Sequence, residues 1–343
     1  MNSKKLKKIF SWGLYFGAFV AVALIVSYNA FYGSAVREQR SMFVRSAADY
    51  SAVMGDIKSG MTNPLKCKAF DIYAVHLNLE SRLKVGHYTL REGMSVISIV
   101  RMLVLGEQTP INLTIGEART LPQLAGKISK QIMADSAAII TAMYDRELRA
   151  SLGYKRDSLI AMFVPNTYQV YWTTSPQQLL RRMKRESDAF WNESRKAKLK
   201  AIGMSEYQVM TLASIVYEET KNRGEMPKIA GVYVNRLRKR MPLQACPTVK
   251  YALGDFTLTR ILHRHLRVDS PFNTYRNAGL PPAPICVPSI AAINAVLNYE
   301  KSNYLYFCAK PEFDGTHNFA RTLSEHNANS RKYNEALKKL KKR

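Results

Sequence analysis

Hydrophobic and polar positions change rhythm along this chain, beginning with an uninterrupted apolar stretch. Between Ile9 and Val36 no charged residue occurs, and Phe10–Tyr28 is dense in Leu, Val, Ala, Phe and Ile. About 20 apolar residues cross the hydrocarbon core of a bilayer, so this run predicts a transmembrane helix over 9–31. Lys4, Lys5, Lys7 and Lys8 precede it and predict a cytoplasmic tail over 1–8, following the positive-inside bias. A cleaved signal peptide begins in the same way, and Gly33-Ser34-Ala35 would tolerate cleavage. Its apolar core, however, is usually only about 7–15 residues. The pattern therefore predicts a single-pass anchor with the rest of the chain outside the cytoplasm.

Residues 37–70 are mixed and polar, with alternation around Arg40–Arg45 and a helix expected near Tyr50–Lys58. A strand pattern covers Leu83–Leu90. Ser95 is a plausible N-cap for the apolar helix Val96–Leu105, which should stop at Gly106. A further strand is expected at Ile111–Ile115, so strand, short helix and strand make a small α+β module. From Leu121 the rhythm turns helical. Leu121–Ile132, Ala137–Leu152, Pro176–Lys200 and Ser205–Thr220 carry apolar residues at i, i+3, i+4 spacing. Residues 242–287 are loop-rich, Tyr304–Ala309 reads as a strand, and Glu325–Arg343 as a basic terminal helix. The fold class predicted is α+β and rich in helix.

Composition narrows the function. The chain has 343 residues, 47% of them hydrophobic, which excludes a disordered or disulfide-scaffold protein. Lys and Arg number 51 against 26 Asp and Glu, a formal net charge of +25 that points to a polyanionic partner. With the main part of the chain placed outside the cytoplasm, nucleic acid is not the expected partner; anionic lipid and acidic wall polymers are. The basic stretch Arg181–Lys200 reads as a solvated helix face. Cys67, Cys246, Cys286 and Cys308 show no metal-ligand spacing with the six His, so no metal is expected.

One helix carries the strongest chemical candidate. Within Leu212–Thr220, helical spacing aligns Val209, Leu212 and Val216 with Glu219, while Glu218 turns about 100° away toward Thr211 and Asn222. A carboxylate ending an apolar stripe is costly to bury ionised, so its pKa should rise and let it hold a proton near neutral pH. A solvated glutamate at a frayed helix end remains the alternative on this ground alone.

The stretches LASIVYEET (212–220), VYVNRL (232–237), LQACPTVKYALG (243–254), SPFNTYRNAGLPPAPI (270–285) and NYLYFCAKPEFDGTHNFARTLSEH (303–326) resemble the endolytic murein transglycosylases of the MltG, or YceG-like, family. FVPNTY (163–168) and GHYTLREGMSVISIVRMLVLGE (86–107) are similar to the same family. The resemblance implies a linker and LysM-like module over 32–115 and a YceG-like, mixed helix-rich catalytic domain over 116–343. It implies cleavage of the MurNAc–GlcNAc β-1,4 bond in nascent peptidoglycan strands, leaving a 1,6-anhydro-MurNAc end and limiting strand length. No cofactor is implied. The partners implied are glycan strands, the inner membrane and peptidoglycan synthases.

The family's catalytic Glu falls on Glu219. Asn235, Gln244, Tyr251, Asn273, Thr274 and Tyr275 are expected to bind substrate, with Glu218, His317 and His326 in support. A non-catalytic, membrane-anchored peptidoglycan-binding protein is the alternative. Four places depart from the family pattern: Tyr217 stands where a Glu is usual, an acid either dispensable or compensated by Glu218; Cys246 and Asn166 each stand where an Asp is usual; and Gly116-Glu117-Ala118 departs from the usual acidic-Gly pair. A Cys246–Cys286 disulfide bracing the cleft is one expectation, and free thiols are the other. The anchored small module is expected to set the cutting distance, which lengthening residues 37–45 would test.

Overall fold

The computed structural model describes residues 3–46 and 50–341. Residues 1 and 2 of the expected cytoplasmic tail and the last two of the terminal helix lie outside the described residues. The architecture is a helix-rich α+β fold with small antiparallel sheets, arranged as two compact units. One holds the chain up to Asn112 with Gln169–Thr174. The other holds Leu113–Tyr168 with the chain from Ser175 onward.

The first unit begins with α1 (Ser3–Tyr32), which starts earlier than the expected span. Its stretch Phe10–Tyr32 is long and apolar enough to cross a membrane, and none of its apolar window is buried. The helix end differs: Ala30, Ala35 and Val36 enter the core of this unit, and Phe31 meets Tyr73 edge-on at 6.4 Å. Residues 37–45 hold β1 (Arg40–Val44), antiparallel to β2 (Gly86–Leu90) with Met42 opposite Tyr88. Its alternation buries Met42 and Val44, so this segment is tied into the sheet. Three helices follow β1: α2 (Tyr50–Ser59), α3 (Pro64–His76) and α4 (Leu79–Arg82). The helix α5 (Val96–Leu105) has the predicted ends. The Ser98 amide donates to the Ser95 hydroxyl at 3.2 Å, and Gly106 adopts φ 74°, a left-handed stop that glycine takes without steric cost.

The strands β3 (Ile111–Ile115) and β4 (Asn166–Val170) pair with each other. In the second unit α6 (Leu121–Ser129) is followed by α7 (Ser136–Tyr144) and α8 (Arg146–Ser151), where one helix over Ala137–Leu152 was expected. Asp145 divides it: its backbone is extended and its carboxylate accepts the Leu148 amide at 2.6 Å, capping a new helix. Similarly, Pro176–Lys200 becomes α9 (Pro176–Phe190) and α10 (Glu193–Ile202), because Asn192 caps the second helix behind the buried Trp191. The basic face of α9 is solvated and balanced by Arg182–Glu186 and Lys184–Asp188 pairs.

The core of this unit forms around α11 (Glu206–Glu219), α12 (Met226–Arg238), α13 (Cys246–Leu253) and α14 (Ile290–Leu297). The stripe Val209, Leu212, Val216 is fully buried there. Gly231 lets the Glu300 carbonyl approach α12 so closely that no Cβ would fit. The hairpin β5 (Tyr306–Ala309) and β6 (His317–Ala320) packs beneath α15 (Leu323–Lys341).

Candidate active site

Glu219 is the last residue of α11, where a capping box formed by Ser205 and Gln208 has started the helix. The buried stripe leads the helix through the core and delivers this carboxylate to a cavity of about 440 Å³. Gln244, Cys246, Tyr275, His317 and His326 line the same cavity, with Tyr233, Arg236, Tyr306 and Cys308. Glu219 is the one carboxylate among the described residues lining it.

Burial pushes the Glu219 carboxyl up to about 7, and neighbouring Glu218 adds to this. The Tyr233 hydroxyl, donating to Oε1 at 2.9 Å, opposes the rise, as do the charges of Lys250 and Arg236. The helix C-terminus also places unpaired carbonyls near the group, which disfavours negative charge. An acid with this value holds its proton near neutral pH and still gives it up readily.

Two of the predicted substrate-binding residues, Gln244 and Tyr275, reach the cavity because other predicted residues hold the backbone. Asn273 is fully buried: its amide donates to the Leu266 and Val268 carbonyls at 2.9 and 2.8 Å and its oxygen accepts from the Tyr275 amide. Thr274 accepts the Ala245 amide through its hydroxyl at 3.0 Å, and the Gln244 amide through its carbonyl at 3.0 Å. Gln244 thereby sits at φ 52°, a left-handed conformation costly for a residue with a Cβ. Tyr275 and Cys246 meet at 3.2 Å between hydroxyl and thiol.

Asn235, Tyr251, Asn273 and Thr274 do not line the cavity. The Asn235 amide donates to the carbonyls of Ser302 and Tyr304 at 2.7 and 3.0 Å. Tyr251 packs against Phe272 and Phe256. His317 is tied to Glu225, its ring Nδ1 2.9 Å from the carboxylate. His326 stacks on Tyr306, and burial together with the charge of Arg236 lowers its pKa, which keeps it neutral.

A family model described as the YceG-like family matches residues 43–332. The chain belongs to the YceG-like family. It is 29% identical over 333 residues to an endolytic murein transglycosylase of Bacillus subtilis, spanning 90% of this chain and 91% of that protein. An endolytic murein transglycosylase of Streptococcus pneumoniae is 30% identical over 76% of this chain, which spans 52% of its length. A crystal structure of a YceG-like protein from Listeria monocytogenes superposes with TM-score 0.57 at 30% identity, covering 85% of this chain and 98% of that one.

At the positions expected to depart from the family pattern, the structure shows the groups that surround each. The Tyr217 hydroxyl donates to Glu117 at 3.0 Å. Burial pushes the Glu117 carboxyl up, but Lys221 and the Tyr217 hydroxyl outweigh it and hold it below its ordinary value. An ionised acid is thus supplied beside position 217 by Glu117. Glu218, expected in that role, instead pairs with Arg119 at 2.9 Å and does not line the cavity. The expected Cys246–Cys286 disulfide is absent. Cys246 opens to the cavity, whereas Cys286 is sealed behind α11 with its thiol 3.7 Å from the Ser214 carbonyl. Asn166 makes a local contact with the Thr167 amide.

Sequence reasoning missed Tyr233 and Arg236, although both lie inside the VYVNRL stretch. Their i, i+3 spacing on α12, which puts them on one face, was the available signal.

Proposed function

We propose that this YceG-like chain is a membrane-anchored peptidoglycan lytic transglycosylase, cutting within glycan strands, with Glu219 as its acid and base. The observation that carries this reading is the lone carboxylate in the cavity. Hydrolytic glycosidases use two carboxylates at a defined separation, and only one lines this cavity among the described residues. One suffices when the nucleophile belongs to the substrate. Protonated Glu219 donates to the glycosidic oxygen as the C1–O bond breaks through an oxocarbenium-like state. The resulting carboxylate then takes the proton of the same sugar's C6 hydroxyl as its oxygen bonds to C1. The products are a free 4-hydroxyl on one strand and a 1,6-anhydro ring on the other, with no water consumed. Intramolecular attack gains the large advantage of a tethered nucleophile. Tyr233 steadies the carboxylate between the two proton transfers. Gln244 and Tyr275 offer neutral donors and acceptors to sugar hydroxyl and acetamido groups.

The names of the relatives support this substrate and reaction. Insertion of α1 in the inner membrane, with the amino-terminal lysines in the cytoplasm and both units outside, follows from its apolar span and the positive-inside bias. Retention of the helix as an anchor is supported by Ala30, Ala35 and Val36, which cleavage at 33–35 would strip or disturb. On this reading the unit carrying α5 holds or spaces the strand, and peptidoglycan synthases supply it. Digestion of nascent glycan by the purified chain should release anhydro-muropeptides, and Glu219→Gln should release none. Reducing ends in the products would assign a hydrolase instead, and binding without products a non-catalytic protein.

A further inference from the structure

Arg236 presents an unbalanced buried cation beside the reacting acid. Only 8% of it is exposed. Nε donates to the Leu305 carbonyl at 2.6 Å, and Nη1 to the carbonyls of Pro242 and Leu243 at 3.2 and 2.9 Å. The remaining bond, to the Gln244 side-chain oxygen, is long at 3.4 Å. All these acceptors are neutral, and among the described residues no carboxylate lies within ion-pair distance of the guanidinium. Neutral carbonyls satisfy N–H groups, and the Tyr306 ring 5.1 Å from the guanidinium eases the charge, but neither supplies a counter-charge, which is costly in a buried setting. Nη2 makes no hydrogen bond among the described residues, yet it is not sealed from solvent. Arg236 lines the cavity that it shares with Glu219, and Nη2 is the guanidinium nitrogen left there without a protein acceptor among the described residues. When Glu219 carries the proton it donates, the cavity holds a net positive charge and an idle charged donor.

We infer that Arg236 binds a carboxylate carried on the muramyl side arm of the substrate, and so selects muramyl-containing strands over neutral polymers of N-acetylglucosamine. The inference rests on the transglycosylase reading above and names what that site recognises. A guanidinium fixed on its inner edge by backbone carbonyls offers its outer edge in one orientation, the geometry that suits a carboxylate and that lysine does not reproduce. Two carboxylates are chemically available on such a strand: that of the 3-O-lactyl arm where no peptide is attached, and those of the stem peptide where one is.

The test uses the full chain carrying Glu219→Gln in detergent micelles, titrated calorimetrically with four tetrasaccharides. These are chitotetraose, a denuded GlcNAc–MurNAc tetrasaccharide with free lactyl carboxylates, its lactyl methylamide, and the stem-peptide-bearing form. At least one carboxylate ligand should bind about tenfold or more tightly than chitotetraose, the scale of a hydrogen bond to a charged group. Tight binding of the denuded acid lost in its methylamide identifies the lactyl arm. Tight binding of the stem-bearing form alone identifies the peptide. Adding Arg236→Gln should bring the ratio to about one, and Arg236→Lys should restore part of the ratio. Equal binding of all four ligands would overturn the inference, as would an unchanged ratio in Arg236→Gln. Because the methylamide changes the ligand and not the protein, the lactyl case is decided even if Arg236→Gln fails to fold. Anhydro products from the wild type, together with equal binding of all four ligands, would overturn only the role of Arg236. Failure of the wild type to make those products would overturn both readings.

Discussion

Replacing Glu219 with Gln should make the protein more stable at alkaline pH, and the size of the gain follows from the site. The folded chain raises this carboxyl from an ordinary 4.5 to about 7, chiefly by burial. The folded state therefore holds the proton more tightly than the unfolded chain. This stabilisation is complete below pH 4.5 and is lost as pH rises through 7. At roughly 1.4 kcal/mol per pH unit, the wild type forfeits about 3 kcal/mol across that window relative to a neutral side chain. The glutamine of the variant has no proton to lose. The stability difference between variant and wild type should thus grow by about 3 kcal/mol from pH 4 to pH 8. Urea unfolding of both full chains in the same detergent, followed by tryptophan fluorescence, measures it. Trp191 lies buried in the same core as α11 and reports on that unit. A difference that does not change with pH, or one that shrinks toward pH 8, would refute the account of why this carboxyl is a usable acid.

Three further outcomes are expected. Tyr233→Phe removes the donor that favours ionised Glu219, so the alkaline fall in activity should move about one pH unit or more upward; a downward shift in the pH–rate profile would contradict this. Gly231→Ala should cost about 1–3 kcal/mol in urea unfolding, because the new methyl group meets the Glu300 carbonyl. Arg119→Gln should cost about 1–2 kcal/mol by leaving Glu218, whose Oε1 is buried without a partner, with no cation. That figure is reduced for solvent at the half-buried Arg119, and adding Glu218→Gln should recover part of the loss.

The parts of the structure legible in the sequence are those where local preference and burial agree. Val96–Leu105 has apolar periodicity, a serine cap and a glycine stop, and it folds within those limits. The Val209–Glu219 stripe likewise placed a carboxylate at the end of a buried face, where its acidity is altered as the helix geometry requires. Reading failed where one side chain had two uses. Asp145 is an ordinary polar residue in an amphipathic pattern until its carboxylate accepts the Leu148 amide and starts a new helix. Asn235, Asn273 and Thr274 have the donors and acceptors a sugar needs, but folding spends them on backbone groups of distant segments. Arg236 shows the converse. The sequence assigns it no role, and only the packed structure reveals that it is buried with one nitrogen unbonded. A sequence states which hydrogen-bonding groups exist; tertiary packing decides where they are consumed.

The way α1 ends bears on any attempt to transplant this protein. Anchors are commonly treated as interchangeable, joined to their cargo by a few indifferent residues. Here Ala30, Ala35 and Val36 are core residues of the first unit, Phe31 packs on Tyr73, and Gly33 passes where a side chain would strike the Asn29 carbonyl. A foreign membrane helix spliced before residue 29 should leave a folded unit. One spliced after residue 36 would leave that unit with an open seam.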